Sequence, residues 1–205
     1  MKYYFDTEFH EREDGRIELI SIGIVNEIGE KLYLVSSEFN VLAAYNRKQD
    51  DDQHWLRDNV LFPIIADFNP LVVNEKLSYF QMLPFFGDYG KTVEEIREEI
   101  INFVGENNPI FVAYYASYDW VVFCQTFGGM LNLPENWPMY CYDLKQKIDD
   151  IVSLKIKDSG IKHEDKLAEI KSLPSYPKNK GEHLAINDAE WNMELDKFIE
   201  IIIHE

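Results

Sequence analysis

The chain opens with MKYYFDTEFH (residues 1–10), an apolar, β-rich run that delivers two acids one residue apart, Asp6 and Glu8. In a strand, residues i and i+2 face the same side, so a strand that reaches Glu8 projects both carboxylates together from its end. Carboxylates so placed repel unless positive charge lies between them, and a divalent cation is the usual solution. A solvated strand end accounts for a lone D-x-E equally well, so the pair takes its meaning from what surrounds it.

Two further β-rich runs follow, RIELISIGIV (16–25) and KLYLVSSEF (31–39), with turn chemistry at Asp14-Gly15 and in NEIGE (26–30). This spacing predicts three antiparallel strands joined in order. The pattern weakens over 41–89, where DDDQHWLRDNVL predicts a short helix and PFFGDYG a Pro-containing aromatic stretch. Thr92 with Glu95 reads as a capping box, and Val93, Ile96, Ile100 and Val104 form an apolar helical stripe behind it. PIFVAYY (109–115) reads as a buried strand, and SYDWVVFCQTFGG as a helix closed by Gly128 and Gly129. MYCYDL predicts a last strand running into the helix LKQKIDDIVSLKIK, with Asp143 as its cap. The charged segment 158–180 predicts an exposed helix plus loop, and HLAINDAEWNMELDKFIEIIIHE a final helix with Leu184, Asn187, Asp188, Trp191 and Leu195 near one face. Strands first, then strands alternating with helices, predict an α/β domain with a mixed sheet.

A length of 205 residues suits one domain spanning 1–205, and 46% apolar content suits a folded core. Acids outnumber bases 37 to 20, a net charge of −17 that excludes a protein coating nucleic acid through a broad basic face. An enzyme that meets nucleic acid through metal ions and a small basic rim remains compatible with it. Cys124 and Cys141 lack metal-ligand spacing and read as buried thiols of a reducing compartment. The N-terminus turns acidic by Asp6, leaving no signal-peptide core, and no apolar stretch approaches the roughly 20 residues that span a bilayer. A cytoplasmic location is expected.

Two more acids sit where chemistry collects. Asp119 follows the strand IFVAYY in the first turn of a helix, the strand-to-helix junction at which α/β proteins build sites. It is also a position that free amides and the macrodipole favour for any Asp. Asp188 interrupts the apolar face of the final helix and needs a partner there. Five residues on a helix subtend about 500°, which would set His183 and Asp188 roughly 140° apart. His183 therefore belongs on the loop or cap after Gly181, from which both reach one cleft.

Taken in order, Asp6, Glu8, Asp119, His183 and Asp188 resemble the DEDDh 3′–5′ exonuclease superfamily, which includes RNase T and oligoribonuclease. The three motifs stand here as Asp6-Thr7-Glu8, Ser117-Tyr118-Asp119 and His183-x-Ala185-x-x-Asp188-Ala189. YYFDTEFHEREDGRIELISIGIV and HLAINDAEWNMEL are similar, more narrowly, to a small exoribonuclease branch of mycobacteria, phage and other bacteria. Tyr115 stands where many relatives carry Asn, which implies loss of a substrate contact, and Phe9 replaces the small residue of some DNA-directed relatives.

The resemblance implies an RNase H-like exonuclease fold and a phosphodiesterase using two Mg²⁺ or Mn²⁺ ions held by Asp6, Glu8, Asp119 and Asp188. Such ions, about 3.5–4 Å apart, stabilise the attacking and leaving oxygens of an in-line displacement. It implies His183 as general base, a role an imidazole fills near neutral pH. Substrate contacts are expected from Thr7, Phe9 and Tyr118, with His10 and Tyr114 also placed to stack on bases. Arg47, Lys48, Arg57, Lys178 and Lys180 are the candidate phosphate contacts. The expected substrate is the 3′ end of RNA, or alternatively of single-stranded DNA, and the product a nucleoside 5′-monophosphate. A homodimer through FIEIII (198–203) is an open possibility, as is burial of that segment within one subunit. A dehalogenase-type phosphatase would not require the His183–Asp188 pair, and an RNase H-like endonuclease would cut internally. A lapsed nucleic-acid-binding module would be expected to lose some of these acids, and all are present.

Overall fold

The computed structural model describes residues 1–48, 53–69, 77–105, 108–157, 159–179, 181 and 183–203. Five strands form one mixed sheet in the order β3-β2-β1-β4-β5. Strands β1 (Lys2–Glu11), β2 (Ile17–Asn26) and β3 (Lys31–Val35) make the expected antiparallel meander. Strands β4 (Ile110–Ala113) and β5 (Tyr142–Asp143) add in parallel on the other edge of β1. Several strands are shorter than their patterns predict. β3 stops at Val35, after which Ser36 bridges to Lys91, and β5 keeps two residues of MYCYDL.

Helices cover both faces. On one, α4 (Val93–Val104) and α5 (Ser117–Thr126) pack Ile96, Ile100, Val122 and Phe123 against Tyr3, Phe5 and Phe111. Thr92 and Glu95 form the capping box that starts α4. Gly128 and Gly129, both at positive φ, turn the chain out of α5. On the other face, α6 (Leu144–Lys155), α7 (His163–Lys171) and α8 (Ala185–Ile203) pack Ile148, Val152, Leu195 and Ile199 against Tyr4 and Val112. Asp143 caps α6, accepting from the backbone of Lys145 at 2.8 Å.

The weakly patterned region 41–89 holds more structure than its sequence predicts. It forms α1 (Val41–Asn46), a π-helical turn (Arg57–Leu61) continuing into α2 (Phe62–Phe68), and α3 (Tyr79–Tyr89), which takes in PFFGDY. These pack on one another in a third core of Val60, Leu61, Ile64, Met82 and Phe86 that also takes in Leu56 and Leu184. Residues 50–52 of the predicted helix lie outside the described residues.

The buried line of α8 also differs from the predicted face: Ala185, Ala189, Asn192, Asp196 and Ile199 are inward, while Asn187 is partly exposed. Asn192 donates to the Phe5 carbonyl at 2.9 Å, and buried Asp196 accepts from Lys2, Lys147 and Tyr4. Both contacts fasten α8 along β1, which the paired charge of Asp196 alone would not justify on energetic grounds. Phe198, Ile199 and Ile202 are buried within the chain, whereas Ile201 and Ile203 are exposed. Cys124 is buried, and Cys141 is only half-buried.

Candidate active site

The two opening acids do not mark the end of their strand. β1 continues to Glu11, paired with β2 throughout, and what ends beside the acids is β4, whose pairing stops at Tyr4–Val112. The apolar run had suggested a strand terminus because its hydrophobic character stops at the acids. A cleft of about 650 Å³ opens where β4 leaves β1. Asp6, Thr7, Glu8, Phe9, Tyr118, Asp119, His183 and Asp188 all line it.

Strand alternation sets the two sides. Asp6 and Glu8 lie on the α8 side with Tyr4, and Thr7 lies on the α5 side with Phe5. From α8, Asp188 completes a group in which one carboxylate oxygen each of Asp6, Glu8 and Asp188 lies within 4.8 Å of the others. From α5, Asp119 reaches the edge that β4 has vacated and accepts there from the Thr7 amide at 2.9 Å and hydroxyl at 2.6 Å. Thr7 is thus largely buried, with its hydroxyl on Asp119, while still lining the cleft.

The acids are electrostatically frustrated. Loss of solvation, then repulsion from Asp119, Glu8 and Asp188, holds the Asp6 carboxyl well above its ordinary range. Glu8 is pushed up to about 8 by the same loss of solvation and by Asp188 and Asp119. Burial raises Asp119 to about 6 against the opposing hydrogen bonds from Thr7. Among the described residues no lysine or arginine pairs with Asp6, Glu8 or Asp119. An all-oxygen, clustered and partly desolvated donor set fits hard divalent cations, which need no sulfur ligand.

His183 precedes α8 with φ 68, a left-handed backbone that a non-glycine residue adopts at some cost. Its amide donates to Asp188 Oδ2 at 2.8 Å, and the Asn179 side chain donates to Asp188 Oδ1. The carboxylate therefore anchors the histidine loop on both oxygens.

The aromatic contacts divide. Phe9 and Tyr118 stack on each other at 5.7 Å, with Tyr118 50% exposed. Tyr114 packs edge-on against Trp191 at 5.0 Å while still lining the cleft. His10, in contrast, is buried away from the cleft and contacts Glu18 at 3.3 Å. It lies further along β1, opposite Glu18 of β2 and past a bulge in which Ile20 is the extra β2 residue between Ser21, facing Glu8, and Leu19, facing Phe9. Of the candidate phosphate contacts, Arg47 lines the cleft, bonded to the Glu11 carbonyl. Arg57 is instead paired with Asp58 and laid over Tyr45 and Phe62. Lys48 and Lys178 are not among the lining residues, and Lys180 lies outside those described.

Trp55 and Asn179, which the sequence does not single out, also stand on the cleft wall, as does the exposed Tyr115. Tyr115 is 62% exposed at φ 54. No periodic or motif signal marks Trp55 or Asn179, and the strain at Tyr115 is invisible in a sequence.

A mixed sheet whose central strand carries an acid-walled cleft, flanked by helices on both faces, is an α/β fold of RNase H-like exonuclease type. Over 154 residues the chain is 33% identical to the 3′–5′ exoribonuclease of Mycobacterium tuberculosis, in strains CDC 1551 / Oshkosh and ATCC 25618 / H37Rv alike. The match covers 73% of this chain and 75% of each relative. The chain belongs to this family of 3′–5′ exonucleases. No protein-family model matches it. Among the described residues no helix is long and apolar enough to cross a membrane.

Proposed function

We propose that this protein is a metal-dependent 3′–5′ exoribonuclease of the DEDDh type that releases nucleoside 5′-monophosphates. The observation that carries this reading is the convergence of Asp6, Glu8 and Asp188 from two elements, with Asp119 and His183 on the same cleft. The names of the related mycobacterial enzymes support RNA as the substrate.

Asp6, Glu8 and Asp188 would hold a divalent cation, with Asp119 on the same cleft as the further carboxylate available to the metal site. When bound, two Mg²⁺ or Mn²⁺ ions supply charge neutralisation for the attacking and leaving oxygens of an in-line displacement at phosphorus. The His183 imidazole takes the proton of the attacking water, working from a loop tied to Asp188. Arg47 meets a backbone phosphate, and Phe9, Tyr118 and Tyr115 present ring surface to the terminal bases. Thr7 holds Asp119 in orientation.

The test is a denaturing gel with 5′-labelled single-stranded RNA and DNA of one sequence, in Mg²⁺, Mn²⁺ or EDTA, beside Asp6→Ala and His183→Ala. A metal-dependent ladder shortening from the 3′ end, faster on RNA and lost in both variants, is expected. Internal cuts, or a ladder that persists in EDTA, would refute the reading.

Thr7→Val removes the hydroxyl bond and leaves the amide, so a loss of about tenfold in kcat is expected, in line with one hydrogen bond to a charged group. Thr7→Ser should restore it. Steady-state rates across a Mn²⁺ titration check both points, and an unchanged kcat for Thr7→Val would dismiss the Thr7–Asp119 bond as a working part of the site.

A further inference from the structure

We infer that Trp55 is a positioning residue that seats the His183 imidazole; this rests on the proposed role of His183 as general base. The two rings meet edge to face at 4.7 Å, with an interplanar angle of 75°. Among the described residues the imidazole nitrogens of His183 make no hydrogen bond, so the backbone places the residue but leaves the ring free to turn about its side-chain bonds. A proton acceptor needs a fixed direction, and here the indole wall supplies it.

The wall is itself held. The Trp55 carbonyl accepts from Asn59 Nδ2 at 2.9 Å, anchoring the turn from which the indole projects. Trp55 packs against the third core, whose buried members include both Leu56 and Leu184, the residue after His183. The two segments thus share a ring contact, Trp55 with His183, and a common core through Leu56 and Leu184. The left-handed backbone at His183 joins the two anchors: Leu184 is buried in the core while the amide of His183 stays on Asp188. The helical region 41–89, which contributes none of the acids, gains a role in the chemistry through this contact.

Two measurements on the full chain separate this inference from the reading beneath it. The first is the ¹H–¹³C spectrum of the imidazole of His183, assigned with His183→Gln. Ring current from Trp55 should shift its Cε1 proton, Trp55→Phe should keep much of the shift, and Trp55→Leu should abolish it. The second is steady-state kinetics: Trp55→Leu is expected to lower kcat about tenfold with KM within about threefold, and Trp55→Phe to stay within about threefold of wild type. In a His183→Ala background Trp55→Leu should cost nothing more. An unshifted resonance, a change confined to KM, or a full additional loss without His183 would each overturn the inference. Should His183→Ala leave kcat intact, the general-base reading falls, and the spectrum alone still decides whether Trp55 seats the ring.

Discussion

Replacing Asp6 by Asn is expected to stabilise the metal-free protein at pH 8 while lowering activity by about a thousandfold or more. The two effects share one cause. Asp6 and Glu8 are acids whose folded-state pKa values are raised above their unfolded values, Glu8 from 4.5 to about 8. Between those limits the folded chain binds more protons than the unfolded chain, so stability contributed by these groups falls as pH rises through the window. It is fullest near pH 4.5 and lost by about pH 8, on the order of a few kcal/mol, since one pKa unit corresponds to about 1.4 kcal/mol. Melting curves in EDTA at pH 5 and pH 8 should therefore show the Asn variant gaining on wild type as pH rises. Cations that bind only the folded chain reverse the order for wild type, by about 2.7 kcal/mol at a hundred times the dissociation constant. Millimolar Mn²⁺ should raise the wild-type melting temperature more at pH 8 than at pH 5 and leave the variant nearly unmoved. A variant destabilised in EDTA at both pH values would show that Asp6 has a protein partner, and the frustrated-cluster account would fail.

How much of this was legible beforehand follows the range of each signal. Alternation along one strand placed Asp6 and Glu8 on one side, because that depends only on the pleat. The helix junction at Asp119 and the loop-then-helix order of His183 and Asp188 were local as well. The meeting of these pieces is not local, and the family motifs stood in for it. The surroundings of Thr7 and His10 were illegible for the same reason. The Thr7 amide meets Asp119 because β4 stops at Val112 and leaves that edge of β1 open, and His10 lies against Glu18 of β2 instead of on the cleft. Both depend on neighbouring strands. Region 41–89 was opaque because its helices pack on one another in short, uneven turns, including a π-helical one, so no 3.6-residue stripe lasts long enough to read.

One signal was present and is worth more than it first conveys: Gly23, in the middle of the apolar run RIELISIGIV. A glycine inside a strand weakens it unless another backbone comes close. Here one does. A Cβ at Gly23 would lie 2.4 Å from the carbonyl carbon and oxygen of Ala185 and the Cα of Ile186, all backbone atoms of the first turn of α8. Gly23 is also the β2 partner of Asp6. The close approach therefore sets the height of α8 above the sheet at the point where Asp188 must meet Asp6 and Glu8. Gly23→Ala should lift that turn by about 1 Å, a displacement that at a reacting centre costs about a hundredfold in rate. The accompanying strain should lower stability by about 1–3 kcal/mol. Gly87→Ala is the matched control, since a Cβ there meets nothing within 4 Å and its backbone is helical. That variant should keep full activity and gain about 0.5–1 kcal/mol. Calorimetric Mn²⁺ binding, kcat and melting temperature on both variants give the answer. Activity and Mn²⁺ affinity retained by a folded Gly23→Ala would mean that the seating of α8 on β2 does not govern the cluster. Loss of both, with Gly87→Ala intact, would tie the chemistry of Asp188 to the absence of a single methyl group on the neighbouring strand.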